Sequence, residues 1–210
     1  MVGTAPQYDI EQQSTLLFDA SEIPLEAREW QQLASLMAGS KYEHIIGGDA
    51  NESHSVWVSR YFNDVGLPEA LSDFSAEIAA IVMSGKMRRF YQQFTGTEKL
   101  CLRRCQANRM FSGDYIGEHK DQDSSPHHLA TIVFHFSPQY TGGWFVTNEK
   151  HRYKPSAHMA LVNNCSVPHQ VTKVESGERL TLACFLSTSF AANEKQCPTF
   201  KTDEQQLCVN

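Results

Sequence analysis

Leu129-Ala130-Thr131-Ile132-Val133-Phe134-His135-Phe136-Ser137 decides the fold class of this chain. Its side chains are mostly β-branched or aromatic, the kinds that sit best on a pleated surface. Strand alternation sends Thr131, Val133 and His135 to one face and Ile132, Phe134 and Phe136 to the other. The segments around it read the same way. Leu100 to Met110 alternates, Tyr115 to Lys120 follows a Ser-Gly-Asp turn, and Gly143 to Thr147 and His158 to Asn163 are further short runs. Gln170 to Val174 and Arg179 to Ser187 read as a hairpin joined by Glu175-Ser176-Gly177-Glu178. About seven short strands with tight turns predict a mainly β domain, a rolled β-barrel or jelly-roll core with supporting α-helices.

The helices lie upstream. Ser21-Glu22-Ile23-Pro24 has the form of a helix start, with Pro near the first turn and Glu22, Glu26 and Glu29 close to the positive end of the dipole. Leu25, Trp30, Leu33, Leu36 and Met37 recur at helical steps, and Gly39 supplies a stop. A second helix is expected from Pro68 past Leu71, Phe74, Ile78, Ile81 and Val82, breaking near Gly85 before a further turn with Phe90 and Phe94. Each has one apolar face, as helices packed on a sheet do. The expected organisation is one domain over 1–210, with helical support over 1–95, the jelly-roll core over 96–187 and a polar C-terminal tail over 188–210.

Bulk properties narrow the function. The 210 residues suit one well-buried domain, and 41% apolar with 20% charged residues is globular composition. A net charge of −6 argues against nucleic acid as a partner, because that binding neutralises phosphates with many Lys and Arg. No apolar run reaches about 18 residues, so a membrane span is not expected. The N-terminal stretch lacks a basic start followed by an apolar segment and does not read as a signal peptide. Six scattered cysteines are then expected as reduced thiols in a cytoplasmic protein. Cys101 and Cys105 stand at C-x₃-C spacing, but no second pair lies at finger-like spacing, and they read as small hydrophobes on a strand.

Chemistry concentrates in His119-Lys120-Asp121, then Pro168-His169, then Arg179. In an extended segment, residues i and i+2 point the same way, so His119 and Asp121 can face one metal, and a rolled sheet can bring His169 to them. Two imidazoles and one carboxylate leave coordination positions open for substrate and O₂, the arrangement of non-haem Fe(II) oxygenases. Arg179 follows His169 by ten residues, and its guanidinium can grip a carboxylate through two parallel hydrogen bonds. His127 and His128 read as loop histidines, while His44, His54, His151 and His158 have no partner at metal spacing.

These residues resemble the 2-oxoglutarate- and Fe(II)-dependent oxygenases, particularly the prolyl-hydroxylase-like branch. The matching pattern is Tyr115-x₃-His119-x-Asp121, Leu129 to Ser137, Thr141-Gly142-Gly143, Lys154-Pro155-x₅-Leu161 and Pro168-His169-Gln170-Val171-x₅-Gly177-x-Arg179, over roughly 100–187. The resemblance implies a double-stranded β-helix, Fe(II) on His119, Asp121 and His169, and 2-oxoglutarate with its far carboxylate on Arg179, helped by Thr181 or His135. Many members of the branch carry an inward Tyr on the strand equivalent to Leu129–Ser137; the similar position here is His135, which can point into the barrel or be a buried structural His. Arg109 can line the pocket mouth or be a surface cation, and Trp144, Phe145 and Tyr153 can shape the pocket or fill core and rim.

The activity implied is oxidation, most simply hydroxylation, of a C–H bond with release of succinate and CO₂. A small molecule such as an amino acid or natural-product intermediate is the expected substrate, alongside O₂. A protein or peptide hydroxylase, and a non-catalytic or cupin-type metal-binding jelly roll, stand as alternatives.

Overall fold

One strongly curled sheet makes both walls of the protein. The computed structural model describes residues 8–48, 52–147 and 151–194. The chain opens with α1 (Ile10–Gln13), β1 (Thr15–Phe18), α2 (Ala27–Ala38), β2 (Glu43–Ile46), β3 (His54–Asn63) and β4 (Glu69–Ala70), followed by α3 (Ser75–Val82) and α4 (Gly85–Thr95). Then come β5 (Cys101–Met110), β6 (Tyr115–His119), β7 (Ala130–His135), β8 (Tyr140–Gly142), β9 (Phe145–Thr147), β10 (Arg152–Tyr153), β11 (Ala160–Asn164), β12 (His169–Val171), β13 (Val174–Gly177) and β14 (Arg179–Ser187).

The strand order is β1-β11-β7-β14-β5-β3 on the first wall, continuing through β6-β12-β9-β10 on the second, while β8 and β13 pair separately. Strand β3 turns the corner. Its Trp57–Phe62 stretch pairs with β5, with a register shift between Arg60 and Phe62, while His54 and Ser55 pair with β6. Strands that switch walls in this way, with bulges, are how a sheet closes into a roll. The result is the double-stranded β-helix, or jelly roll, expected from the sequence.

Alternation sorts the side chains between a core and a cavity. Leu182, Cys184 and Leu186 of β14, Ile132 and Phe134 of β7, and Cys105 and Ala107 of β5 face the helices and pack with Trp30, Leu33, Ile78, Val82, Phe90 and Phe94. Thr181, Ala183 and Phe185, with Thr131 and Val133, face the other way and line the cavity between the walls. The division of β7 is the one its sequence predicts. A smaller apolar cluster of Val56, Val58, Met110, Phe145, Val171 and Val174 joins the walls.

Several expectations needed correction. The N-terminal third is not only helical support, because β1, β2 and β3 belong to the main sheet and β3 lines the cavity. The first helix begins at Ala27, with Glu26 as its cap and the Glu26 N–H donating to Glu29 Oε2 at 2.8 Å. The second begins at Ser75 rather than near Pro68, because Glu69–Ala70 is captured by β3. After the break at Met83–Ser84, Gly85–Thr95 is a full helix ended by Gly96 at φ 72°.

The expected hairpin of 170–174 with 179–187 does not form. β12 pairs with β6 and β9 on one wall and β14 with β7 and β5 on the other, while β13 between them pairs with β8. Of the tail, Thr188–Glu194 is described. Arg103 donates to the Ser189 and Ala191 carbonyls at 3.0 and 2.9 Å. Residues 195–210, including Cys197 and Cys208, lie outside the described residues. Among the described residues no helix is long and apolar enough to cross a membrane. Cys105 is fully buried beside Cys184, packing as the sequence predicts, and Cys101 Sγ bonds the Ser187 carbonyl.

Candidate metal and co-substrate site

His119 closes β6 and His169 opens β12, and the two are directly paired across the strands. Asp121 is not on the strand as expected. Lys120 stays extended (φ −113°, ψ 138°), and Asp121 opens a 3₁₀ turn over Asp121–Asp123. The extended Lys120 still leaves His119 and Asp121 on one side, so His119 Nε2 lies 3.4 Å and His169 Nε2 3.6 Å from Asp121 Oδ1. The ligand atoms of all three lie within 4.8 Å of one another, a spacing that one ion can bridge.

The surroundings orient these groups as ligands. His119 Nδ1 lies 2.9 Å from the Gly117 carbonyl and His169 Nδ1 2.9 Å from the Val167 carbonyl, which favours N–H at Nδ1 and a lone pair at Nε2. Thr131 Oγ1 donates to Asp121 Oδ2, leaving Oδ1 toward the imidazoles. Burial would raise the Asp121 carboxyl, but His169, His119 and Thr131 outweigh it and hold it well below the usual carboxylate range. Burial pushes His169 down to about 4, so it is neutral at pH 7, the form a metal needs. Phe145 stacks on the His169 ring at 5.0 Å and 23°, closing that side with an apolar face.

A second group of polar side chains stands farther along the cavity. Arg179 is 2% exposed, Thr181 0% and His135 1%, and Thr181 is paired directly with His135 across β14 and β7. Arg179 Nε, Thr181 Oγ1 and His135 Nε2 are buried without a hydrogen-bond partner. An unmet buried polar atom costs roughly 1–3 kcal/mol, so three together mark a place for a polar ligand. Burial, then the nearby Arg179 charge, push His135 well below its ordinary value, so its imidazole is neutral. Two neutral hydrogen-bonding groups beside a buried guanidinium suit a carboxylate. The donor sets at the two ends therefore fit a divalent metal and a dicarboxylate.

The sequence reading missed other residues at and near the site. Tyr140 on β8 opposes the lowering of Arg179 caused by burial, and its hydroxyl donates to the Pro155 carbonyl at 3.3 Å. Its only advance signal was its position before Thr141-Gly142-Gly143. Arg60 and Val58 come from the unrecognised β3, although Val56-Trp57-Val58 carried a period-two signal. Arg109 does not line the mouth. It lies on the outer face, 2.7 Å from Glu178, while its neighbour Asn108 faces the cavity. Phe145 is a wall residue, whereas Trp144 lies under the Arg152 and Lys154 cations. His128 is a buried partner of Asp64 at 3.2 Å rather than a solvated loop residue.

A double-stranded β-helix with two imidazoles and a carboxylate at one station and a buried guanidinium at another is the architecture of a non-haem iron oxygenase that uses a dicarboxylate. Residues 105–187 match the model of the 2OG-Fe(II) oxygenase superfamily. An oxidoreductase of the 2OG-Fe(II) oxygenase family from Burkholderia pseudomallei is 27% identical, with 89% of this chain and 91% of that chain covered and a TM-score of 0.80. A Pseudomonas putida prolyl-4-hydroxylase shares the fold at 16% identity, with 85% and 95% covered and a TM-score of 0.59. HygX from Streptomyces hygroscopicus, solved with nickel and 2-oxoglutarate bound, shares it at 10% identity, with 94% and 91% covered and a TM-score of 0.61. No curated protein matches the chain in sequence. Residues 105–187 therefore carry a 2OG-Fe(II) oxygenase domain, in the fold shared with prolyl hydroxylases, and the protein is a dioxygenase that uses Fe(II), 2-oxoglutarate and O₂.

Proposed function

We propose that this dioxygenase hydroxylates a C–H bond of a small polar molecule, such as an amino acid or a natural-product intermediate. His119, Asp121 and His169 hold the iron, and Arg179, Thr181 and His135 receive the far carboxylate of 2-oxoglutarate. The observation that carries this reading is the pairing of a close-set triad with three unmet buried polar atoms in and beside the same cavity. Fe(II) with 2-oxoglutarate and O₂, when bound, supplies the oxidising power for an unactivated C–H bond, with succinate and CO₂ released.

The protein's own residues contribute placement and exclusion of water. Thr131 fixes the free oxygen of Asp121 so that the other points at the two imidazoles. The Gly117 and Val167 carbonyls hold the rings from behind, so neither can rotate away. Arg179 is buried, so its neutralisation of a carboxylate is little screened by water, which strengthens the contact. Neutral His135 donates or accepts without adding a second charge. Gln106, Asn108 and Phe185 on the cavity wall offer polar and apolar contacts that support a small polar substrate.

Anaerobic titration with Fe(II) and then 2-oxoglutarate tests the assignment through the weak visible band of the chelate. The band is expected in the native protein, absent in Asp121→Ala, and reached only at much higher 2-oxoglutarate in Arg179→Ala. No band from a folded, iron-loaded protein would overturn the co-substrate site. Succinate release stimulated only by peptides would overturn the small-molecule part.

A further inference from the structure

The cavity has a second cationic station that the co-substrate does not use. We infer that Arg60 and Arg104 form an anion subsite for the oxidised substrate, which carries a carboxylate or a phosphate monoester. This rests on the proposed assignment of the Arg179 end to 2-oxoglutarate.

The strand register separates the two stations. Arg179 opposes Met110, whereas Arg104 opposes Phe185, six residues further along β14. At about 3.3 Å per residue this is about 20 Å along the strand. A five-carbon diacid is no longer than about two extended residues, about 7 Å, so one that runs from the triad to Arg179 does not also span to Arg104. Arg60 opposes Gln106 on β3, one station nearer, and both guanidinium side chains line the same cavity. Phe185, opposite Arg104, also opposes Thr131, which bonds Asp121, so Arg104 and one ligand of the triad border the same part of the cavity, into which the Arg179 side chain also reaches. A small substrate with its anion on these arginines would present a C–H bond to the metal.

Contacts with the wall fix the positions of these cations. Arg104 Nη1 lies 3.2 Å from Ser124 Oγ and its guanidinium 5.6 Å from the Phe185 ring centroid, while Arg60 Nη1 lies 3.9 Å from Glu43. Lys120 lines the cavity too, and the acidic wall residue Glu52 pairs with His54 at 3.3 Å, beside His119. In a chain of net charge −6, two guanidiniums and an ammonium around one cavity are a local reversal of sign. A neutral substrate would strip water from those cations and return nothing, whereas an anion offsets the loss through charge-assisted hydrogen bonds.

The test uses protein loaded with Mn(II) and 2-oxoglutarate, with paramagnetic relaxation of probe protons as the readout. The probes are benzoate against benzamide, and phenyl phosphate against phenol, and the two pairs separate carboxylate from phosphate recognition. The charged member of at least one pair is expected to relax about fivefold more than its neutral twin. Arg60→Gln and Arg104→Gln should each remove most of that difference, Arg104→Lys should keep part of it, and Arg109→Gln on the outer face should change nothing. Equal relaxation within both pairs, or a preference unchanged in both Gln variants, would overturn the subsite; the latter would mean direct binding to the metal. The Fe(II)·2-oxoglutarate band is recorded on aliquots of the same apo-protein loaded anaerobically with Fe(II) in place of Mn(II). Its absence would sink the parent assignment, and its presence without any anion preference would sink the subsite alone.

Discussion

His119 and His169 face each other as a direct cross-strand pair of β6 and β12, with ring centroids 4.4 Å apart. Neither segment is near the other in sequence, so the wall that joins them creates the metal station, and Asp121 completes it from the turn that follows β6. Thr131 reaches this station from the opposite wall. The carboxylate is thus held across the cavity by a strand that carries none of the three ligands.

That arrangement makes Thr131 a positioning residue. Thr131→Val keeps the shape and removes the donor to Asp121. Fe(II) affinity is expected to fall about 10- to 100-fold, the usual cost of losing such a support. The chelate band should return at saturating iron, whereas Asp121→Ala should show none at any concentration. Unchanged iron affinity in Thr131→Val would remove the positioning role.

Thr181 separates stability from binding. Its hydroxyl is buried and unmet in the protein without co-substrate, so Thr181→Val should raise the stability of that form by roughly 1 kcal/mol. The same change should weaken 2-oxoglutarate binding several-fold, because the hydroxyl finds its partner only when the co-substrate is present. Chemical denaturation with and without 2-oxoglutarate measures both signs. A variant destabilised in the apo form would show that Thr181 serves the fold instead.

Much of this could be read from residue order, and the failures have a common cause. The β7 alternation depends on one strand's own period and appears where the sequence puts it, with Thr131 and Val133 on the cavity. The path from β12 to β14 was misread as a hairpin because a short Gly-containing link looks the same whether the next strand stays on its wall or crosses to the other. Strand β3 went unrecognised between two helical patterns, and with it Arg60. The polar residues Ser55, Ser59 and Arg60 broke the apolar pattern of a strand whose β5 partner lies some fifty residues away. Asp121 left the strand because the 3₁₀ turn, not the extended run, brings its carboxylate under the histidines.

A buried charge pair ties the C-terminal segment down. Arg103 donates to both Asp64 oxygens at 2.5–2.8 Å, both side chains are fully buried, and His128 lies 3.2 Å from the same carboxylate. Burial would raise the Asp64 carboxyl, but His128 and Arg103 hold it well below the usual range. A depressed folded-state value contributes stability above the unfolded carboxyl value of about 3.9 and loses it as pH falls toward the folded value. Asp64→Asn should therefore cost roughly 3–5 kcal/mol at pH 7, because it leaves Arg103 buried without its counter-charge. The gap between native and variant stability should narrow below about pH 4. Denaturation curves across pH that stay parallel would refute the ionised pair.

Gly143 tests the co-substrate end without touching a charged group. Its φ of +61° favours glycine, and a Cβ there would sit 3.0 Å from the Tyr140 ring, 3.1 Å from Arg179 Cδ and 3.2 Å from Val174 Cγ2. Each of these is tighter than an ordinary van der Waals contact, and the side chains pressed are those that seat the guanidinium. Gly143→Ala should lower stability by roughly 1–2 kcal/mol through the backbone strain. It should also displace Arg179 and raise the 2-oxoglutarate concentration needed for the chelate band about tenfold. Iron affinity should hold steady, because the atoms nearest an added Cβ belong to Tyr140, Arg179 and Val174, not to the triad. Equal losses of iron and 2-oxoglutarate binding would mean general unfolding of the cavity. An unchanged 2-oxoglutarate requirement in a destabilised but folded variant would separate Arg179 from the co-substrate altogether.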